Sequence, residues 1–179
     1  MDDDLTGRGI RDLAVWVSLY RIALGVMWLR MALEKAPWII SPEGQPYGWL
    51  YGYILKEIEH PTFAFYTAFL KNLVLPYFHI FGLLIFIVEI AIAISLVLGF
   101  LVPLIGGLGG TLMQINIMLG SYSVPGEWGG TWLLLIGSHI VFMMGHAGRR
   151  LGLDGWIARS VTEPTRGEGK LRNVLAYFV

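Results

Sequence analysis

The chain has 179 residues, 55% of them hydrophobic and only 15% charged, with a mean hydropathy of +0.62. Thirteen basic residues balance thirteen acidic ones, so no global basic field exists to hold nucleic acid. Cysteine is absent, which excludes disulfides, thiolate nucleophiles and cysteine-ligated iron–sulfur clusters. The charges gather at the ends and in one loop and leave long apolar stretches nearly bare. That distribution predicts a single-domain, all-α integral membrane protein, a bundle of four transmembrane helices.

The N-terminus, Met1-Asp2-Asp3-Asp4, is acidic where a cleavable signal needs positive charge, so the first apolar segment is expected to stay as a span. That span is placed over 13–36, with Arg21 inside it, Arg30, Glu34 and Lys35 toward its far end, and Pro37 stopping the helix. From Trp38 to Leu75 the chain is too polar and too interrupted to cross a bilayer. Its aromatic content (Trp38, Tyr47, Trp49, Tyr51, Tyr53, Phe63, Phe65, Tyr66, Phe69) suits the headgroup boundary. His60-Pro61 reads as a helix start, and Thr62–Leu75 as an interfacial helix or loop between helices 1 and 2.

Tyr77 to Gly120 carries one formal charge, Glu89, and is too long for one helix. Gly99 and Pro103 mark a turn that divides it into spans over 77–99 and 102–120. Gly106 and Gly110 form a small-xxx-small pair suited to close helix packing. A fourth span is expected over 131–147, and a polar tail over 160–179. With four spans, one face collects Arg8, Arg11, Arg149, Arg150, Arg159, Arg166, Lys170 and Arg172, so both termini are expected in the cytoplasm of a plasma-membrane protein.

An ionisable side chain inside a membrane helix costs about 2.5–3.5 kcal/mol on insertion scales and so requires a partner or a purpose. At about 1.5 Å per residue, Arg21 and Glu89 fall at comparable depth, which predicts an Arg21–Glu89 ion pair. Such a pair either locks helix one to helix two or forms a polar site for a quinone head group or a proton. Gln114 and His139 fall near mid-membrane and are expected to hydrogen-bond each other, as helix glue or as part of the same quinone or proton site. Lys35, Trp38 and Glu127 are assigned to the outer face, where a substrate or partner subunit would meet the protein. His79 and His139 differ in depth, which disfavours a bis-histidine haem, and no His/Glu spacing suggests a metal site.

The segments Arg21-Ile22-Ala23-Leu24-Gly25 and Lys35-Ala36-Pro37-Trp38 are similar to an R-xxx-G motif followed by a lysine near the helix end. Phe69-Leu70, Leu75-Pro76, Phe81, Glu89 and Leu96-Val97-Leu98-Gly99 follow in order, and Gly148-Arg149-Arg150-Leu151-Gly152-Leu153-Asp154 closes the pattern. In these segments the chain, from about Leu19 to Ile157, resembles the DoxX/DoxD family of four-span membrane proteins. That family includes the small subunit of thiosulfate:quinone oxidoreductase. The resemblance implies a membrane subunit of a quinone-linked oxidoreductase working with other subunits, with quinone as cofactor and acceptor and Arg21, Lys35 and Glu89 at family-pattern positions. The alternative is a non-catalytic accessory or assembly subunit of a larger respiratory complex. A transporter fits less well, because no inverted repeat or broken-helix pair is evident.

Overall fold

A computed structural model describes residues 2–162, with side chains described from Leu13 to Ser160. The tail beyond, with Arg166, Lys170, Arg172 and Leu171–Val179, lies outside the described residues, as do the side chains of Arg8 and Arg11. The described chain is helical throughout: α1 (Asp2–Glu34), α2 (Leu50–Glu59), α3 (Ala64–Phe69), a π-helical turn (Leu70–Val74), α4 (Phe78–Leu98), a π-helical segment (Val102–Gly109) running into α5 (Gly110–Ser121), α6 (Gly129–Met144) and α7 (Leu153–Thr162).

Three stretches are long and apolar enough to cross a bilayer: Leu13–Glu34, Phe78–Leu98 and Val102–Ser121, with mean hydropathies of 1.4, 2.8 and 1.4. The fourth expected span is apolar but shorter, ending at Met144 before Gly145 and a left-handed His146. The radial distribution of side chains agrees with a membrane protein. Ile80, Leu84, Ile87, Leu133, Leu134, Val141 and Met144 are exposed, whereas Ser18, Arg21, Lys35, Glu89, Gln114 and His139 are buried. Water would favour the reverse arrangement.

Small residues set the helix spacing. A Cβ at Gly25 of α1 would come within 2.8 Å of Leu96 Cβ on α4, so glycine is what lets these two helices touch there. Gly106 meets Leu96 and Ser95 of α4, while Gly107 meets Met143 and Gly110 meets the His139 ring of α6. The glycine-rich segment therefore wedges between α4 and α6. Around these contacts Leu24, Trp28, Ile92, Ala93, Leu96, Val102 and Phe142 form the inner core.

At the other end of the bundle α2, α3 and the π-helical turn form a cap over the start of α4. Leu50, Ile54, Tyr66, Leu70, Val74 and Phe78 form a second cluster there with Tyr47. Tyr47 packs over Gly82 and donates a hydrogen bond to the His79 carbonyl at 3.0 Å. Two expectations change in this region. The helix after His60-Pro61 starts at Ala64, with Phe63 as its extended N-cap, because Pro61 and Thr62 are still outside helical geometry. A separate helix, α2, precedes it, burying Leu50, Ile54 and Glu57 at i, i+4 and i+7 on one face.

Candidate functional site

Arg21 and Glu89 do not meet. The Arg21 guanidinium donates to the Leu96 carbonyl and, at 2.9 Å, to the Leu151 carbonyl, and Asp154 supplies the nearby negative charge. Ser18, one turn away, donates to the Ala14 carbonyl at 2.8 Å and to the Arg150 carbonyl at 2.9 Å. The Asp154 carboxylate accepts the backbone N–H groups of Leu101 (2.6 Å) and Val102 (2.9 Å), capping the helix that leads into α5. Gly99, at φ +66°, ends α4 in the left-handed conformation, and a Cβ there would collide with Gly152 and the guanidinium. Arg21 thus ties the α4 turn to the start of α7. The depth count failed because Gly25 on Leu96 fixes the register, leaving Glu89 about 10 Å further along α4 than Arg21's contact.

The partner of Glu89 is Lys35. Its ammonium donates to Glu89 Oε1 at 2.5 Å, and both side chains are almost fully buried, at 4% and 1% exposure. Lys35 is therefore buried against Glu89 and not presented at the surface to a substrate or partner, although the last turn of α1 beside it is exposed at Leu33 and Glu34. Ala36 just beyond Lys35 is fully buried. The Trp49 ring lies 4.9 Å from the ammonium, adding a cation–π contact. The other carboxylate oxygen, Glu89 Oε2, is buried without a hydrogen-bond partner.

Lys35 and Glu89 stand in the wall of a cavity of about 270 Å³. Met31, Leu70, Phe81, Ile85, Val88 and Met113 make most of this chamber apolar. Its polar groups are the ion pair and a second set, Tyr53, Glu57, Tyr66 and Asn116. Tyr66 donates to Asn116 Oδ1 at 3.1 Å, and Ser121 Oγ donates to Glu57 Oε1 at 2.7 Å. Gly120 packs so closely on the Glu57 carboxylate that any side chain there would displace it. Burial pushes the Glu57 carboxyl up to about 7, partly opposed by the Ser121 bond and reinforced by the Glu127 charge. Burial raises the Tyr53 and Tyr66 phenols as well. Trp49, Phe69 and Leu84 are exposed and line the chamber, which marks where it reaches the surface.

The remaining expected site residues lie elsewhere. Gln114 is buried on α5, but His139 is not its partner. His139 Nε2 accepts the Trp28 indole N–H at 3.0 Å, and its Nδ1 pairs with the Gly106 carbonyl at 2.6 Å. Both ring nitrogens are thereby used, and the ring packs closely on Gly110 at the start of α5. His79 is exposed on the side of α4 that Tyr47 approaches. Trp38 is exposed and touches Phe86 edge-on, outside the chamber wall. Glu127 is exposed and accepts a hydrogen bond from Tyr53 at 2.6 Å.

Glu57, Tyr53 and Ser121 are not singled out as site residues by the sequence analysis. The signal was the Leu50–Ile54–Glu57 spacing, which places a carboxylate on the apolar face of a short helix. Compared with protein-family models, with curated proteins and with solved structures, the chain matches none of them.

Proposed function

We propose that this chain is the quinone-binding membrane subunit of an oxidoreductase complex, with the chamber at Lys35, Glu89 and Trp49 as the quinone site. In this reading α6 serves as a fourth, short membrane-crossing helix, completing a four-helix bundle. The positive-inside tendency of the arginines at 149, 150 and 159 supports cytoplasmic termini, with the chamber toward the opposite face of the plasma membrane. Partner subunits carry the donor-side chemistry, in keeping with the resemblance to the DoxX/DoxD pattern.

The observation that carries the proposal is the buried, unpartnered Glu89 Oε2 next to the Lys35 ammonium in an apolar, aromatic-lined chamber. The two forms of a quinone make opposite demands: the oxidised carbonyl accepts a hydrogen bond and the reduced hydroxyl donates one. Lys35, with N–H groups beyond the one given to Glu89, can hold a carbonyl oxygen. Glu89 Oε2 can accept a hydroxyl. The apolar wall suits the ring, and the exposed Phe69 and Leu84 lead toward the lipid that would carry an isoprenoid tail. The volume of about 270 Å³ lies just below the roughly 300–1,000 Å³ of small-molecule sites, room for a head group alone. A bound quinone supplies two-electron, two-proton acceptor chemistry.

The test is equilibrium binding of a short-chain benzoquinone to the purified full chain in lipid nanodiscs, followed by tryptophan quenching. Saturable quenching is expected, weakened at least tenfold by Val88→Phe, which fills the chamber without touching its polar groups. Equal affinity in Val88→Phe would place the quinone elsewhere and overturn the proposal.

A further inference from the structure

Glu57 connects the chamber to the surface through a run of side chains that the quinone reading leaves unused. Its carboxylate lines the chamber and is 8% exposed. Ser121 Oγ, fully buried, donates to it at 2.7 Å. The Tyr53 hydroxyl donates to Glu127 Oε1 at 2.6 Å and lies near enough to Ser121 for that hydroxyl to oppose the rise that burial gives its phenol. Glu127 is exposed in the loop between α5 and α6. Carboxylate, two hydroxyls and carboxylate thus run from the chamber to the surface.

The geometry points to a proton wire, Glu127–Tyr53–Ser121–Glu57, that carries protons between the aqueous face bearing Glu127 and the chamber. One movement of the Tyr53 O–H from Glu127 to Ser121 aligns the run, since hydroxyl hydrogens turn to suit their neighbours. A proton on Glu127 then passes to the Tyr53 oxygen, the Tyr53 proton to Ser121, and the Ser121 proton to Glu57. Each hydroxyl gains one proton and loses one, so the net change is one proton moved from Glu127 to Glu57. After the transfer the Tyr53 O–H again points at Glu127 and the Ser121 O–H points at Tyr53, so once Glu57 has released its proton into the chamber the turn of the Ser121 O–H back to Glu57 resets the run.

The surroundings suit a group that changes protonation. The titratable groups facing Glu57 are Tyr53 on its own helix, Tyr66 of α3 and Glu127 of the following loop, and none of these is cationic. Its carboxyl, raised to about 7, exchanges protons near neutral pH. The purpose assigned to the wire, supplying protons for quinone reduction, rests on the chamber being a quinone site, although the wire itself operates without quinone.

The test is infrared difference spectroscopy of the full chain, uniformly oriented in sealed proteoliposomes, with pH stepped on one side only. The expected result is a carboxyl band that titrates near neutral pH and disappears in Glu57→Gln. A step on the Glu127 face should drive it, a step on the opposite face should not, and Tyr53→Phe or Ser121→Ala should slow equilibration at least tenfold. A Glu57 band that titrates equally from both faces, or at the wild-type rate in both variants, would overturn the wire, as would a band that does not titrate. Quinone quenching in the same vesicles reads the site separately, so a failed wire with intact binding is distinguishable from a failed quinone site.

Discussion

Replacing Lys35 by methionine leaves the Glu89 carboxylate buried without its counter-charge, and this perturbation gauges how dry the chamber is. At the observed 2.5 Å contact, and with an effective dielectric of about 20, the Coulomb attraction is roughly 7 kcal/mol. Desolvation of two ions costs several kcal/mol each, so the pair as a whole contributes little net stability. Losing one partner is different, because the survivor keeps its desolvation cost and loses its compensation, for a penalty of about 3–5 kcal/mol. Lys35→Met should therefore destabilise the protein by that amount, and Glu89→Gln, which also strips a buried ion of its counter-charge, should do so less because the amide oxygen can still accept the Lys35 hydrogen bond. The double variant Lys35→Met/Glu89→Gln, which leaves no buried charge, should recover much of the loss. Denaturant unfolding of the four proteins in one detergent measures the cycle. A Lys35→Met penalty below about 1 kcal/mol, with no recovery in the double variant, would mean the pair is solvated and would refute the reasoning.

Other consequences follow from the remaining contacts. Asp154→Ala removes the acceptor of two backbone N–H groups at the helix leading into α5 and should cost about 1–3 kcal/mol in the same unfolding assay. It should leave quinone quenching unchanged, since Asp154 lies away from the chamber. Gly110→Ala would drive a methyl group into the His139 ring and should destabilise by about 1–3 kcal/mol; an unchanged midpoint would contradict the close α5–α6 approach. The Glu57 carboxyl is raised from 4.5 to about 7, so the folded state holds its proton more tightly than the unfolded chain. Its contribution to stability, roughly 3 kcal/mol, is fully present below pH 4.5 and is lost as pH rises toward 7. Unfolding midpoints across that window should fall with pH in the wild type and flatten in Glu57→Gln.

The membrane character and three of the four expected spans were legible because they depend on long-range composition, which survives small errors of boundary. The turn at Gly99 was legible because few residues other than glycine tolerate its positive φ. The pairing of charges was not. Depth counting assumes parallel, equally spaced helices, whereas the α1–α4 register is set by Gly25 against Leu96. Lys35 has a long stem that can bury its ammonium several ångströms from its backbone, so its position near a helix end says little about where its charge resides. The chamber was hidden for another reason: its wall comes from α1, α2, α3, the π-helical turn, α4 and α5. A charge in a polar loop also reads as solvated until the fold shows Glu57 on the buried face of α2.

The most direct test of the central claim is to photolabel the full chain in membranes with a photoreactive short-chain quinone and map the adduct by peptide mass spectrometry. The account predicts saturable labelling in the Met31–Lys35, Trp49–Glu57 and Phe81–Glu89 stretches, competed away by unlabelled quinone. Competed labelling confined to the Arg149–Arg159 face, or labelling that excess quinone does not reduce, would contradict it.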